Sequence, residues 1–157
     1  MKREPVFTET MQIGIVVRDL DATIGRYEDD FGIGPWETHE INSADVKDLR
    51  EYGRRTVDHA WRVAVTTIGS VMWELIQPLD QAGIYAPFLA EKGEGVHHIA
   101  LATPKFDELV ARQIEEGREL VGSGARSMRT ESVTAQVRTC ALSFPFSDDG
   151  SSSVNRG

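Results

Sequence analysis

The chain has 157 residues, 40% of them hydrophobic and 27% charged, with a formal net charge of −8. That length suits one domain or two closely packed halves, and the apolar fraction is enough for a packed core. An acidic balance without a basic block argues against nucleic acid or an anionic membrane as partner, and no apolar run approaches the ~20 residues of a membrane span. The start, Met-Lys-Arg-Glu-Pro, leads into no signal-peptide core, so a cytoplasmic location is expected. Cys140 is the single cysteine; it offers neither an internal disulfide nor a thiolate cluster and reads as a small buried residue.

Residues 1–9 are polar. Residues 11–17 read as a strand whose alternation puts Gln12, Gly14 and Val16 on one face and Met11, Ile13, Ile15 and Val17 on the other. Asp19 is a helix N-cap, and Leu20, Ile24, Tyr27 and Phe31 follow at helical spacing until Gly32, Gly34 and Pro35 stop the helix. Residues 36–41 read as the next strand. Residues 42–58 are polar and charged and read as a long loop with at most a short helix, either edging a site or forming a solvated insertion. Residues 60–67 and 71–77 form a hairpin around Ile68-Gly69-Ser70. Residues 84–91 suggest a short helix, closed by Gly93 and Gly95, before a strand over 96–103. Thr103-Pro104 reads as an N-cap and first helical residue, ahead of the stripe Phe106, Val110, Ile114 that ends at Gly117. Residues 119–121 are strand-like, Gly122-Ser123-Gly124 is a turn, and 135–144 can be a strand. Residues 146–157 read as a disordered tail.

Two of these stretches share a template. Gln12 to Ile24 aligns without a gap on His98 to Val110, at an offset of 86 residues, including Asp21 on Asp107. A repeat fixes architecture before local propensity does. The first module reads β-α-β-β-β and the second begins likewise, an α+β arrangement. Module one spans about 8–80, a linker helix about 84–92, and module two about 95–145 of a single domain. The repeat places Gln12 and His98 in equivalent positions, and strand parity adds Glu74 to the same face. Imidazole, carboxylate and amide oxygen together suit a six-coordinate divalent ion. Singly, each has a plainer reading: Gln12 a polar edge residue, His98 a hydrogen-bonded core histidine. Glu74 among Trp73, Leu75 and Ile76 needs a partner or a proton.

The runs Met11-Gln12-Ile13-Gly14-Ile15-Val16-Val17, Phe31-Gly32-Ile33-Gly34-Pro35-Trp36, Trp73-Glu74-Leu75-Ile76-Gln77-Pro78-Leu79 and Gly93-Glu94-Gly95-Val96-His97-His98-Ile99-Ala100 resemble the vicinal oxygen chelate superfamily. That superfamily includes glyoxalase I, methylmalonyl-CoA epimerase, extradiol dioxygenases and bleomycin-resistance proteins. The resemblance implies tandem βαβββ modules forming a curved half-barrel sheet with helices on the outer face, around one divalent metal (Mn, Co, Ni, Zn or Fe). It implies ligands at Gln12, where a histidine is usual, Glu74 and His98. The remaining ligand, a glutamate on the last strand, has no counterpart; Asp148 or Asp149 is the nearest substitute. The position of the epimerase's base falls on Arg62, which stays protonated and suits a substrate anion instead, or a hairpin edge. Glu37, His39 and His59 are available acid–base groups. Trp36 and Trp61 are candidate substrate contacts, or core.

These expectations amount to a glyoxalase/epimerase-like enzyme. It would use a divalent metal to stabilise an enediolate or enolate of a small oxo acid, hemithioacetal or acyl-CoA. The altered ligands and missing base keep open a small-molecule-binding protein of the same fold. The last ~30 residues lack the alternation of closing strands, so a homodimer partner is expected to supply an edge.

Overall fold

The computed structural model describes residues 5–51, 54, 55, 57–117, 122–125, 140 and 141. In chain order they form β1 (Glu9–Val16), α1 (Leu20–Phe31), β2 (Glu37–Asn42), a 3-10 turn (Ser43–Asp45), β3 (Lys47–Glu51), β4 (Arg54–Arg55), β5 (Ala60–Ile68) and β6 (Val71–Pro78). There follow α2 (Tyr85–Lys92), β7 (Gly95–Ala102), α3 (Phe106–Glu115), β8 (Gly122–Ala125) and β9 (Cys140–Ala141). The main sheet runs β2-β5-β6-β1-β7-β9. β1 lies inside it, parallel to β6 and antiparallel to β7. The first strands of the two repeated stretches are therefore neighbours, and β2, β5, β6 and β1 stand side by side in the main sheet. The molecule is α+β with a mixed, open, curled sheet.

Each face of the sheet has its own core. On one, Val17, Ala64 and Leu75 pack with Leu20 of α1, joined by Ile15, Ile24, Tyr27 and Trp36. On the other, Val16, Ile41, Trp61, Val63 and Ile76 pack with Tyr85, Phe88 and Leu89 of α2. Val16 and Val17, like Leu75 and Ile76, are chain neighbours on opposite faces, as strand alternation requires. Fully buried aliphatic side chains, each contributing roughly 1.5–3 kcal/mol, occur on both faces: Leu20 and Leu75 on one, Val16, Val63 and Ile76 on the other.

The ends of α1 follow their sequence signals. The Asp19 carboxylate accepts from the Ala22 N–H at 2.9 Å, and Gly32, with φ 63°, turns its N–H back to the Glu28 carbonyl. Glycine adopts that left-handed cap without the Cβ clash that other residues meet. The start of α3 differs from expectation. Thr103 donates its hydroxyl to Val6 O at 2.9 Å and accepts from Lys105 N at 3.1 Å, so it pins a turn to the N-terminal segment, and the helix starts at Phe106. No residue of α3 is buried, and Ile114 of its expected stripe is 59% exposed.

The expected loop over 42–58 is also more ordered than its composition suggests. It holds β3 and β4, which join β8 in a second sheet of order β4-β3-β8. The expected turn at Gly122-Ser123-Gly124 lies in β8, paired with β3. Neither run has an apolar alternation; pairing at a distance overrides weak local preference. The expected features at 119–121, at 146–157 and over most of 135–144 lie outside the described residues, as do Asp148 and Asp149. Among the described residues no helix is long and apolar enough to cross a membrane.

Candidate active site

The site is built on three adjacent strands. Gly14 of β1 has Glu74 of β6 as its partner on one side and His98 of β7 on the other. Gln12 lies one step along the same face. This face is the one that α2 covers further along, because Val16 and Ile76 continue the rows of Gln12 and Glu74 into the α2 core.

Gly14 makes the convergence possible. A Cβ there would sit inside the His98 ring, so the imidazole lies across β1 where a side chain would otherwise stand. His98 Nε2 thereby comes to 3.7 Å from Glu74 Oε2. From the next row Gln12 donates its Nε2 to the same Glu74 oxygen at 2.5 Å. The side chains of His98 and Glu74 are only 12% and 11% exposed, and among the described residues Glu74 is the only buried carboxyl group. Burial, reinforced by neighbouring His97, pushes His98 down to about 4. The ring is therefore neutral at pH 7. Neutral imidazole is the form that offers a lone pair to a cation or a proton.

His97 is the feature the sequence reading missed. Alternation assigns His97 and His98 to opposite faces. The β7 register instead skips a residue, with Gly14 opposite His98 and Ile15 opposite Val96, and this bulge brings the two rings together. Their Nδ1 atoms are 3.2 Å apart. The His97 ring meets Tyr85 and Phe88 edge-on, at centroid distances of 5.0 and 4.9 Å, and its burial lowers its pKa as well. Gly95 near the bulge was the available signal, since glycine in a strand often marks one. A line of rings runs on from His97 through Tyr85 to Trp61 and His59.

Of the candidate residues, Gln12, Glu74 and His98 come together. Trp61 lies on their face within the α2 core. Arg62 and Trp36 do not join them. Arg62 alternates to the α1 face, where its guanidinium forms two 2.9 Å hydrogen bonds with Asp21. Trp36 packs on the α1 core and donates its indole N–H to Ile33 O at 2.8 Å. Glu37 and His39 of β2 pair with each other at 2.9 Å. Glu37 belongs to the row Glu37, Val65, Glu74, Gly14, His98 that crosses five strands on one face. Among the described residues no group of three or more His, Cys, Asp or Glu is placed to hold a metal ion; the convergent set has an amide as its third member.

The model of the Glyoxalase/Bleomycin resistance protein/Dioxygenase superfamily matches residues 11–134. The chain belongs to that superfamily. Among solved structures, this member of it is similar to the methylmalonyl-CoA epimerase of Mycobacterium tuberculosis, with 26% identity and a TM-score of 0.55 over 82% of this chain and 77% of the other. It is also similar to a variant of the Streptomyces coelicolor methylmalonyl-CoA epimerase in complex with 2-nitronate-propionyl-CoA, with 26% identity and a TM-score of 0.50 over 71% and 73% of the two chains. A methylmalonyl-CoA epimerase in complex with methylmalonyl-CoA and NH4+ matches with the same identity and score over 71% of each chain. A comparison with curated proteins gives no match.

Proposed function

We propose that this superfamily member is a glyoxalase/epimerase-like enzyme that moves a proton next to a carbonyl, with a divalent metal held by Gln12, Glu74 and His98. The observation that carries the reading is the convergence of an amide and a neutral imidazole on the one buried carboxyl group among the described residues, over a glycine that leaves them room. The donors fit such an ion: a neutral ring nitrogen and two oxygen-bearing groups. Gln12 now turns its NH2 toward Glu74, so offering its oxygen requires the amide to turn over. When bound, the metal would supply Lewis-acid polarisation of a substrate carbonyl. The likeness to structures bound to propionyl- and methylmalonyl-CoA compounds favours an acyl-CoA over the oxo acid or hemithioacetal. The acid–base pair we assign is His39 with Glu37, two strands or roughly 10 Å from Glu74, across Val63 and Val65. On this reading residues 95–145 complete a second module, and the exposed edge of β2 pairs in a homodimer, which a constant monomer mass in light scattering would exclude.

The test is manganese retention after dialysis together with deuterium uptake into methylmalonyl-CoA in heavy water. Stoichiometric metal and uptake support the reading, and loss of both removes it. Glu74→Gln is expected to abolish both, and His39→Gln to abolish uptake while manganese stays bound. One observation favours a second reading, a non-catalytic binding protein: Arg62, at the position of the epimerase's base, is turned away and paired with Asp21. Tryptophan quenching by the CoA ester without any deuterium uptake would select it.

A further inference from the structure

We infer that His97 is the positioning residue of this site: through the contact between its Nδ1 and that of His98 it sets which nitrogen of His98 presents a lone pair to Glu74. The zinc part of the test below rests on the metal reading just given; the pairing of the rings does not.

Strict alternation would part these neighbours, and the bulge in β7 unites them. Bulges re-aim side chains at a cost in ladder hydrogen bonds, so one that places two part-buried imidazoles in contact calls for a use. His97 is held by the edge-on contacts to Tyr85 and Phe88 of α2, and His98 by its seat on Gly14. A neutral imidazole has one N–H and one lone pair. Two Nδ1 atoms 3.2 Å apart form a hydrogen bond only if one ring carries its proton on Nδ1 and the other on Nε2.

Two arrangements satisfy this. If His97 donates, His98 carries its proton on Nε2 and turns an N–H toward Glu74 Oε2. If His98 donates, its Nε2 is a bare lone pair 3.7 Å from that oxygen. Without a cation the first is favoured, since an N–H faces the carboxyl oxygen better than a lone pair does. A cation shared by Glu74 and His98 requires the second, and the bond from His98 Nδ1–H to His97 then makes the ligating nitrogen more basic. Cation loading is thus coupled to an exchange of tautomers between the two rings.

Nitrogen-15 spectra of the full chain, labelled at histidine, test this with and without zinc. Without metal, His97 is expected as the Nδ1–H tautomer and His98 as the Nε2–H tautomer. Zinc should reverse both. His97→Phe keeps a ring between Tyr85 and Phe88 but removes Nδ1; zinc should then bind roughly 10–100-fold more weakly with an unchanged melting curve. His97→Gln, which restores an acceptor, should recover part of the loss. Both rings as Nε2–H in the metal-free chain, or His97→Phe binding zinc as tightly as the parent, would overturn the inference. If the parent chain retains no zinc, the metal reading fails while the metal-free spectra still decide the role of His97. If His97→Phe does not fold, the parent's spectra and His97→Gln decide it.

Discussion

Two polar clusters, one on each face of the sheet, meet opposite surroundings. On the α1 face Arg62 pairs with Asp21 at the rim, with the Asp21 side chain 69% exposed. On the α2 face Gln12, Glu74, His98 and His97 are drawn inward among apolar residues. Exposed pairs add little to stability and are screened by salt. Buried polar groups cost free energy unless they satisfy one another, and they persist where they have a task. The same strands build both faces, so neighbouring residues should respond to substitution in different currencies.

Glu74 and Leu75 give the widest contrast. Leu75 is fully buried in the α1 core, and Leu75→Ala should cost about 2–5 kcal/mol through lost burial and a cavity. Urea denaturation measures this. The metal dissociation constant should stay the same wherever the variant is folded. Glu74→Gln, one residue away, keeps shape and volume. It should lose metal retention while its urea midpoint moves far less than that of Leu75→Ala. If the parent retains manganese, a Leu75→Ala protein that is folded but does not retain it would mean that the two faces are not independent.

The next contrast is in acid. Burial holds His98 at about 4 and lowers His97 too, whereas an unfolded histidine titrates near 6.5. As pH falls below that value the unfolded chain takes up protons that the folded chain refuses. The stabilisation is therefore complete above about pH 6.5 and is lost progressively down to about pH 4, on the order of 1–3 kcal/mol. Urea midpoints of the chelator-treated chain across that window check it. In the double variant His97→Phe with His98→Gln this part of the slope should vanish; an unchanged slope would assign it to other groups.

The comparison also explains what could be read in the sequence. Gln12, Glu74 and His98 were legible because the repeat and the period of two depend only on backbone geometry, which β1 and β6 obey around Gly14 and β7 obeys from His98 to Ala100. The end of α1 was legible because Asp19 and Gly32 act through their own backbone. The bulge at His97 was not, since it breaks the alternation used to place its neighbour. Arg62 follows the alternation, but its expected role came from a family position, and Asp21 on α1 is a partner that only the packed helix reveals. β3 and β8 were missed because their pairing is with each other, some 75 residues apart (Lys47 with Ala125, Glu51 with Gly122), and neither segment advertises it.

Arg62 yields the smallest expected effect. The hydrogen bonds from Arg62 lower the Asp21 pKa, with burial opposing and the guanidinium charge adding to the fall. A carboxylate lowered in the folded state stabilises above its unfolded value and loses that contribution as pH falls through the folded one, so any benefit is complete at neutral pH. Yet Asp21 stands in water, and salt weakens what remains. Asp21→Asn should leave the melting temperature unchanged within the resolution of a thermal scan at physiological salt. Arg62→Gln should leave both manganese retention and the KM for an acyl-CoA ester at parent values, because the guanidinium is on the face away from Glu74. A KM raised in Arg62→Gln but not in Asp21→Asn would return Arg62 to the substrate-binding role its position in the sequence suggested, and would require β5 to turn that side chain over when substrate binds.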